Sequence, residues 1–185
     1  KKEGLTLEAG LPQVPTISRS LIIPGTAAMQ VNVINSEYVD IPMQVAPSKG
    51  NLTRDIDPAT VPYSFASFYS GNSSYPAVLA DLSEPFILRD YRGITVRFQP
   101  FEYFPATETL RVYTKVVVNV VAMGTDMTNA INTTKNSYSR HFEEIYRGMF
   151  INFQDAKYPM IGEEGRILVI NNSMFDTAIM PYVNW

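Results

Sequence analysis

Proline places the strongest constraint on the fold of this chain. Thirteen prolines occur in 185 residues, and most of them lie before residue 110, between short apolar runs. Because proline lacks an amide donor and its ring clashes with the preceding helical turn, this spacing excludes long helices from that part of the chain. Several of the runs alternate apolar and polar residues, which is typical of strands joined by turns. The sequence therefore predicts a mainly β, antiparallel fold.

Six segments carry the strand pattern most clearly: residues 18–23, 29–34, 78–82, 86–90, 94–99 and 110–121. In residues 94–99 apolar side chains alternate with polar ones, so one face is expected to be buried and the other exposed, as in one sheet of a β-sandwich. Residues 90–93 separate two runs and predict a turn in which Gly93 takes a positive φ.

The periodicity changes after residue 136. Apolar side chains then recur at steps of three and four, which predicts an amphipathic helix. The stripe consists of Tyr138, Phe142, Ile145, Tyr146, Met149 and Phe150. Residues 152–165 are polar and irregular, and they are interpreted as an exposed linker of the kind that proteases cut.

The last segment has a different pattern. Residues 166–170 form a continuous apolar run, typical of a strand buried on both faces of a parallel sheet. Residues 171–173 are suited to cap a helix, which Pro181 should kink or end. Since such a strand needs a parallel neighbour, residues 158–185 are predicted to be the first strand and helix of a truncated α/β domain that follows a β-sandwich domain at 1–157. We expect both ends of the chain to be cuts in a longer protein.

Composition excludes several classes of site. Cysteine is absent and histidine occurs once, so we expect no thiol nucleophile, no cofactor and no metal site, and we expect the chain itself not to be an enzyme. His141 falls on the polar side of the predicted helix and is interpreted as a surface residue. The net charge is −3 without a basic stripe, which argues against nucleic acid as a partner. No apolar run approaches the roughly 20 residues of a membrane span.

Residues 46–58 form a loop that merits a functional hypothesis. They are rich in proline, glycine and small polar residues, and they are expected to carry Lys49 and Arg54 outward. From residue types alone, Arg54 is a solvated cation and the pair Asp55 and Asp57 is solvated as well. A second basic residue, Lys157, lies in the predicted linker.

Several stretches of the chain resemble the propeptides of gingipain-type bacterial cysteine peptidases, and the arginine-specific kind most closely. The resembling stretches are residues 15–21, 46–50, 85–90, 109–114, 142–146 and 165–170, and they occur in the family's order. The resemblance implies an exported bacterial protein with an all-β sandwich propeptide. It also implies that this propeptide keeps a cognate peptidase domain latent, in cis and also in trans after cleavage, and assists its folding.

The resemblance also implies the site residues. The family places a basic loop residue in the primary specificity pocket of the enzyme, and Arg54 matches it, with Lys49 and Asp55 in the same loop. The family's junction for release matches the bond between Lys157 and Tyr158. Arg54 favours a peptidase that prefers arginine and Lys157 favours one that prefers lysine, so the preference stays open.

Two other functions remain open at this stage. The sandwich could be a binding module for a glycan or another cell-surface partner, because sandwiches carry many unrelated functions. An exposed row of aromatic residues on one strand face would favour that reading, and the candidates are Tyr63, Phe65, Phe68 and Tyr69. Alternatively, the β domain is a purely structural part of an enzyme.

Overall fold

A computed structural model describes residues 3–132, 138–154, 160–161 and 168–184. Most of these residues lie in or between strands, and the two larger sheets are antiparallel. The strands, in chain order, are β1 (Gly4–Leu5), β2 (Pro15–Ile22), β3 (Ala27–Pro42), β4 (Ala80–Leu82), β5 (Phe86–Leu88), β6 (Tyr91–Phe98), β7 (Phe101–Phe104), β8 (Thr109–Thr125), β9 (Tyr138–Ser139) and β10 (Met160–Ile161). The predicted fold class is therefore confirmed.

The first sheet is built around β6. Strand β2 pairs with one edge of β6, with Leu21 opposite Ile94, and β1 extends the sheet beyond β2. On the other edge, β4 pairs with the second half of β6 and β5 with its first half. β6 is paired on both edges, and its residues from Tyr91 to Ile94 are all buried.

The second sheet is a long ribbon of β3 and β8. Ala27 lies opposite Thr125 at one end and Pro42 lies opposite Thr109 at the other, with three register shifts between them. Strand β7 adds to the free edge of β8 at its beginning.

The two sheets face each other across an apolar cleft of about 370 Å³. Leu21 and Val96 line it from the first sheet, and Met29, Val118 and Val120 line it from the second. Two buried clusters lie in the scaffold: one is centred on Tyr91, Tyr138, Tyr146 and Phe150, and the other on Val14, Tyr103 and Leu110. The arrangement is that of a β-sandwich.

Arg92 of β6 joins the two sheets from the inside, although it was predicted to lie in a turn. Its side chain is completely buried. The guanidinium donates to the backbone oxygens of Pro24, Ala27 and Thr128 and forms an ion pair with Asp126 at 3.0 Å. These acceptors flank β3 and β8, so one side chain fixes the end of the ribbon to the first sheet.

The turn predicted at residues 90–93 is wrong. The chain reverses at Arg89 and Asp90, where Arg89 has a φ of +46°, and Gly93 already lies in β6. A Cβ atom at Gly93 would lie 2.6 Å from the Phe150 ring and 2.7 Å from the Phe86 ring. Glycine is required there by the close approach of two aromatic rings and not by the turn.

The predicted amphipathic helix is shorter than its apolar stripe. Helix α1 spans Glu143–Met149 and follows β9 and a 3₁₀ turn at Arg140–Phe142. Tyr146 and Phe150 are buried against Tyr91, whereas Ile145 is 49% exposed and Met149 40%. The helix therefore packs through one narrow ridge.

The C-terminal segment departs from its prediction in two places. The supposed linker contributes β10, which pairs in parallel with β9. Residues 168–170 form no strand, and Leu168 and Ile170 are 84% and 86% exposed, because no neighbouring strand within the described residues offers them a hydrogen-bonding edge. Residues 166 and 167 lie outside the described residues.

A helix does follow, as predicted. Asn172 accepts a hydrogen bond from the Met174 amide at the start of a 3₁₀ turn, and helix α2 (Asp176–Val183) continues through Pro181. Within the ranges that the structure describes, no helix is long and apolar enough to cross a membrane. The domain boundary between residues 157 and 158 stays a prediction, since both residues lie outside those ranges.

Candidate functional site

Loop 46–58 is fixed to the N-terminal segment of the chain at its beginning. Ser48 is fully buried, and its amide donates to the Leu11 carbonyl at 2.7 Å. Its own carbonyl accepts from the Gly10 amide at 2.9 Å, and Gln13 donates to Ala46 at 3.0 Å. These backbone hydrogen bonds pair the first residues of the loop with the N-terminal segment, as in a short sheet.

The tip of the loop is a closed turn. The Ile56 amide donates to the Thr53 carbonyl at 3.1 Å, which leaves Arg54 and Asp55 at the two central positions. Both central residues are exposed. Hydrogen bonds from the Thr53 side chain and from its own backbone hold the pKa of Asp55 below its usual value. The ionised form of the Asp55 carboxylate is therefore favoured.

Lys49 does not point outward as predicted. Its ammonium donates to the Pro58 carbonyl at 2.6 Å and lies 4.4 Å from the centre of the Tyr63 ring. Lys49 thus connects the beginning of the loop to its end, and the ring contact adds a cation–π attraction.

Asp57 closes the loop at its other end. Its side chain accepts a hydrogen bond from the Ala59 amide at 2.9 Å and caps the 3₁₀ turn at Pro58–Thr60. Asp57 is solvated as predicted, but it also has this local structural role.

Among the basic residues that the structure describes, Arg54 differs from most in having no side-chain partner. Six basic side chains are paired with carboxylates: Arg19, Arg89, Arg97, Arg111, Lys115 and Arg147. Arg92 is buried and bonded, and Lys49 is bonded to Pro58. Across the described part of the chain, this leaves Arg54 and Arg140 without a hydrogen bond or ion pair from the side chain. Arg54 is the one of these two that lies at the tip of a fixed loop.

The aromatic residues next to the loop do not form an exposed row on a strand. Phe68 and Tyr69 lie in a 3₁₀ helix at Ser67–Ser70 and pack against the cluster of Val14, Tyr103 and Leu110. Burial raises the pKa of Tyr69 to about 12. Tyr63 and Phe65 are 56% and 64% exposed but lie on irregular chain. The arrangement that would favour a glycan-binding module is therefore not found in these residues.

The remaining predicted residues fall into two groups. Lys157 and Tyr158 lie outside the described residues, so the cleavage site stays a prediction. His141 is exposed in the 3₁₀ turn before α1, which agrees with its interpretation as a surface residue. Within the same described ranges, no group of three or more His, Cys, Asp or Glu side chains is arranged to hold a metal ion.

Sequence reasoning missed two contributors to the loop, Lys49 as a bridge and Thr53 as a partner of Asp55. A Ser or Thr two residues before an Asp in a loop that contains proline and glycine is compatible with a turn, and this signal could have suggested the second contact. No comparable signal marks Lys49, because its acceptor is a backbone carbonyl nine residues away.

Comparison with known proteins gives consistent matches in sequence. The family model described as Propeptide_C25 matches residues 2–158. Gingipain R2 of Porphyromonas gingivalis is 38% identical over 187 aligned residues, which include 99% of this chain and 25% of that protein. Lys-gingipain HG66 of the same species is 21% identical, over 97% of this chain and 11% of that protein. The chain thus spans about a quarter of the length of Gingipain R2.

Two solved structures are similar in fold. The complex of Porphyromonas gingivalis RgpB pro- and mature domains matches with a TM-score of 0.72 and 38% identity, over 81% of this chain and 77% of that one. The structure described as giving insight into zymogenic latency of gingipain K matches with a TM-score of 0.56 and 19% identity, over 66% of this chain and 71% of that one. At this identity, the match supports the fold alone. Because the family model matches residues 2–158 of this chain, the chain belongs to the Propeptide_C25 family and is a propeptide of the gingipain type.

Proposed function

We propose that this chain is an inhibitory propeptide of an exported bacterial peptidase. It keeps a gingipain-type cysteine peptidase domain latent and assists its folding, first in cis and then in trans after cleavage. The relatives support the proposal, because one similar structure is a complex of pro- and mature domains and 38% identical to this chain.

The observation that carries the proposal is the exposed, unpartnered guanidinium of Arg54 at the tip of loop 46–58. A pocket selective for arginine must contain a carboxylate, and a bidentate pair between carboxylate and guanidinium is strong and demanding in its geometry. Because the loop is held at both ends, little conformational entropy is lost when Arg54 enters such a pocket. Arg54 then acts as a substrate mimic.

Inhibition assays test the proposal. The recombinant chain is titrated against a mature gingipain-type peptidase such as Gingipain R2, beside Arg54→Ala and Arg54→Lys. Removal of the cation leaves the pocket carboxylate unpaired, so Arg54→Ala should weaken inhibition by roughly 2–5 kcal/mol, which is about thirty-fold to several-thousand-fold.

Arg140→Ala is the matched control, since Arg140 is also exposed and unpartnered but lies near α1. It should inhibit as the unchanged chain does. A chain that inhibits no such peptidase contradicts the latency proposal. If Arg54→Ala and Arg140→Ala have equal effects, Arg54 is not the residue in the pocket.

Release is proposed to follow cleavage between Lys157 and Tyr158. A covalent linker keeps the local concentration of a tethered inhibitor near the millimolar range, and one cut abolishes this advantage without damaging the sandwich. The N-terminal sequence of the mature enzyme tests the site: a start at Tyr158 supports it, and any other start contradicts it.

A further inference from the structure

The peptide bond between Arg54 and Asp55 is the central bond of the turn at the loop tip, and contacts on both sides of it hold the turn closed. At the loop tip the Ile56 amide donates to the Thr53 carbonyl at 3.1 Å. At the base of the loop, Lys49 donates to Pro58 at 2.6 Å. These contacts, together with the position of the Lys49 ammonium over the Tyr63 ring, are called the brace.

We propose that Lys49 is a positioning residue that protects the Arg54–Asp55 bond from the peptidase that Arg54 inhibits. The inference rests on the proposed function, because a peptidase selective for arginine would cut after the same side chain that blocks it. Without the brace, loop 46–58 becomes a substrate.

The protection follows from the conformation of the bond. Hydrolysis requires the carbonyl carbon of Arg54 to reach a near-attack geometry with the nucleophile of the enzyme, and misplacement by about 1 Å costs orders of magnitude in rate. Proteolysis of a folded segment therefore proceeds through a locally opened state. Opening this turn means breaking the hydrogen bond from the Ile56 amide to the Thr53 carbonyl.

Lys49 acts at a distance from the bond that it protects. Its contact with Pro58 joins residues nine positions apart, so it limits the separation of the loop ends that an extended segment would need. The ammonium also has the Tyr63 ring beneath it, which holds it in place when the carbonyl bond breaks briefly. The reaction that it slows is ordinary hydrolysis: the bond between the Arg54 carbonyl carbon and the Asp55 nitrogen breaks, and water supplies a hydroxyl to the carbon and a proton to the nitrogen.

The test measures cleavage at one bond in the full chain. Wild type and Lys49→Met are incubated separately with mature Gingipain R2 and with trypsin, and mass spectrometry quantifies the fragment that ends at Arg54. Loss of a hydrogen bond from a charged group should raise the opened fraction about ten-fold, so Lys49→Met should be cut roughly ten-fold faster by either enzyme.

A conservative variant separates positioning from a general structural role. Lys49→Arg keeps a cationic donor for Pro58 and a cation over Tyr63, so it should be cut at close to the wild-type rate. Thermal unfolding of each variant shows whether the sandwich is intact.

Two results would overturn the inference. One is that Lys49→Met is cut by trypsin at the wild-type rate, and the other is that Lys49→Arg is cut as fast as Lys49→Met. A wild-type chain that does not inhibit Gingipain R2 would overturn the proposed function alone. In that case the trypsin rates still decide whether the brace protects the bond.

Discussion

The Arg92 guanidinium lies between the two sheets with hydrogen bonds to backbone carbonyls and an ion pair to Asp126. Burial of a charge is tolerated only when its hydrogen-bonding capacity is used, and removal of one partner leaves the other groups buried and unpaired. Position 92 is therefore the site in β6 where a change of side chain should be most costly.

Arg92→Met should lower the free energy of unfolding by about 3–5 kcal/mol, because the acceptors around Asp126 lose their donor. Equilibrium unfolding in urea measures the loss. Arg97→Ala is the matched control in the same strand: its pair with Asp81 is on the surface, where such pairs contribute about 0–1 kcal/mol. Equal losses in the two variants would mean that the buried network contributes no more than a surface pair.

Gly93 and Gly148 form a second contrast at the scale of single residues. Gly93→Ala places a methyl group 2.6 Å from the Phe150 ring, so the ring must shift, and the cost should be about 1–3 kcal/mol. Gly148→Ala lies in α1 with open space around its Cβ and should add up to about 1 kcal/mol through helix propensity. Thermal unfolding of both variants tests whether Gly93→Ala lowers the stability and Gly148→Ala raises it. A neutral Gly93→Ala would show that the packing there can relax.

At the scale of elements, the strands were predictable where apolar residues alternate. The part of β6 from Ile94 onward and the apolar parts of β3 and β8 follow from periodicity alone. The second half of β3 was missed because it is largely polar. Its partner supplies the reason that it forms a strand: Glu37 lies opposite Lys115, and Asp40 lies opposite Arg111, in two cross-strand ion pairs. Such cross-strand pairs can be predicted from a sequence only once the register of the two strands is known.

The C-terminal elements show the opposite error. The spacing of apolar residues predicted a wide stripe for α1, but Ile145 and Met149 remain exposed. Periodicity locates a helix without telling how much of its apolar face finds a partner, and that depends on the sheet beneath it. The apolar run before α2 is likewise unpaired over residues 168–170.

The candidate site was predictable in part. The exposure of Arg54 follows from the composition of loop 46–58, and its role was inferred from the family resemblance. Lys49 was expected to point outward, and it folds back because the turn at Thr53 to Ile56 returns the Pro58 carbonyl to it. A contact between a side chain and a distant backbone oxygen depends on the path of the loop, which residue types do not determine.

At the scale of the whole molecule, tyrosines that are buried or partly buried should make the free energy of unfolding decrease at alkaline pH. Burial raises the pKa of Tyr146, whose hydroxyl donates to Asp90 at 2.6 Å, and burial also raises the pKa values of Tyr69, Tyr75 and Tyr113. The folded chain therefore keeps its tyrosine protons above the usual value of 10.0, where the unfolded chain has lost them.

The contribution of these tyrosines to the free energy of unfolding should be fully present below pH 10 and should decrease as the pH rises from there through the raised pKa values. Urea unfolding at a series of pH values, with tyrosinate absorbance followed in parallel, measures the loss. Tyr146→Phe should show a shallower decline, since one of the protons concerned is gone. A stability that stays constant from neutral pH to pH 12 would contradict this expectation.

The ribbon of β3 and β8 joins Ala27 to Thr125 and Pro42 to Thr109. Contacts between such distant positions slow folding, because a long segment must be ordered before any of them forms. On the ribosome the ribbon cannot close until Thr125 has emerged from the exit tunnel, and the buried cluster around Tyr91 also needs Tyr146 and Phe150. A nascent chain can thus complete its scaffold only after Phe150 has emerged, although Arg54 was synthesised long before.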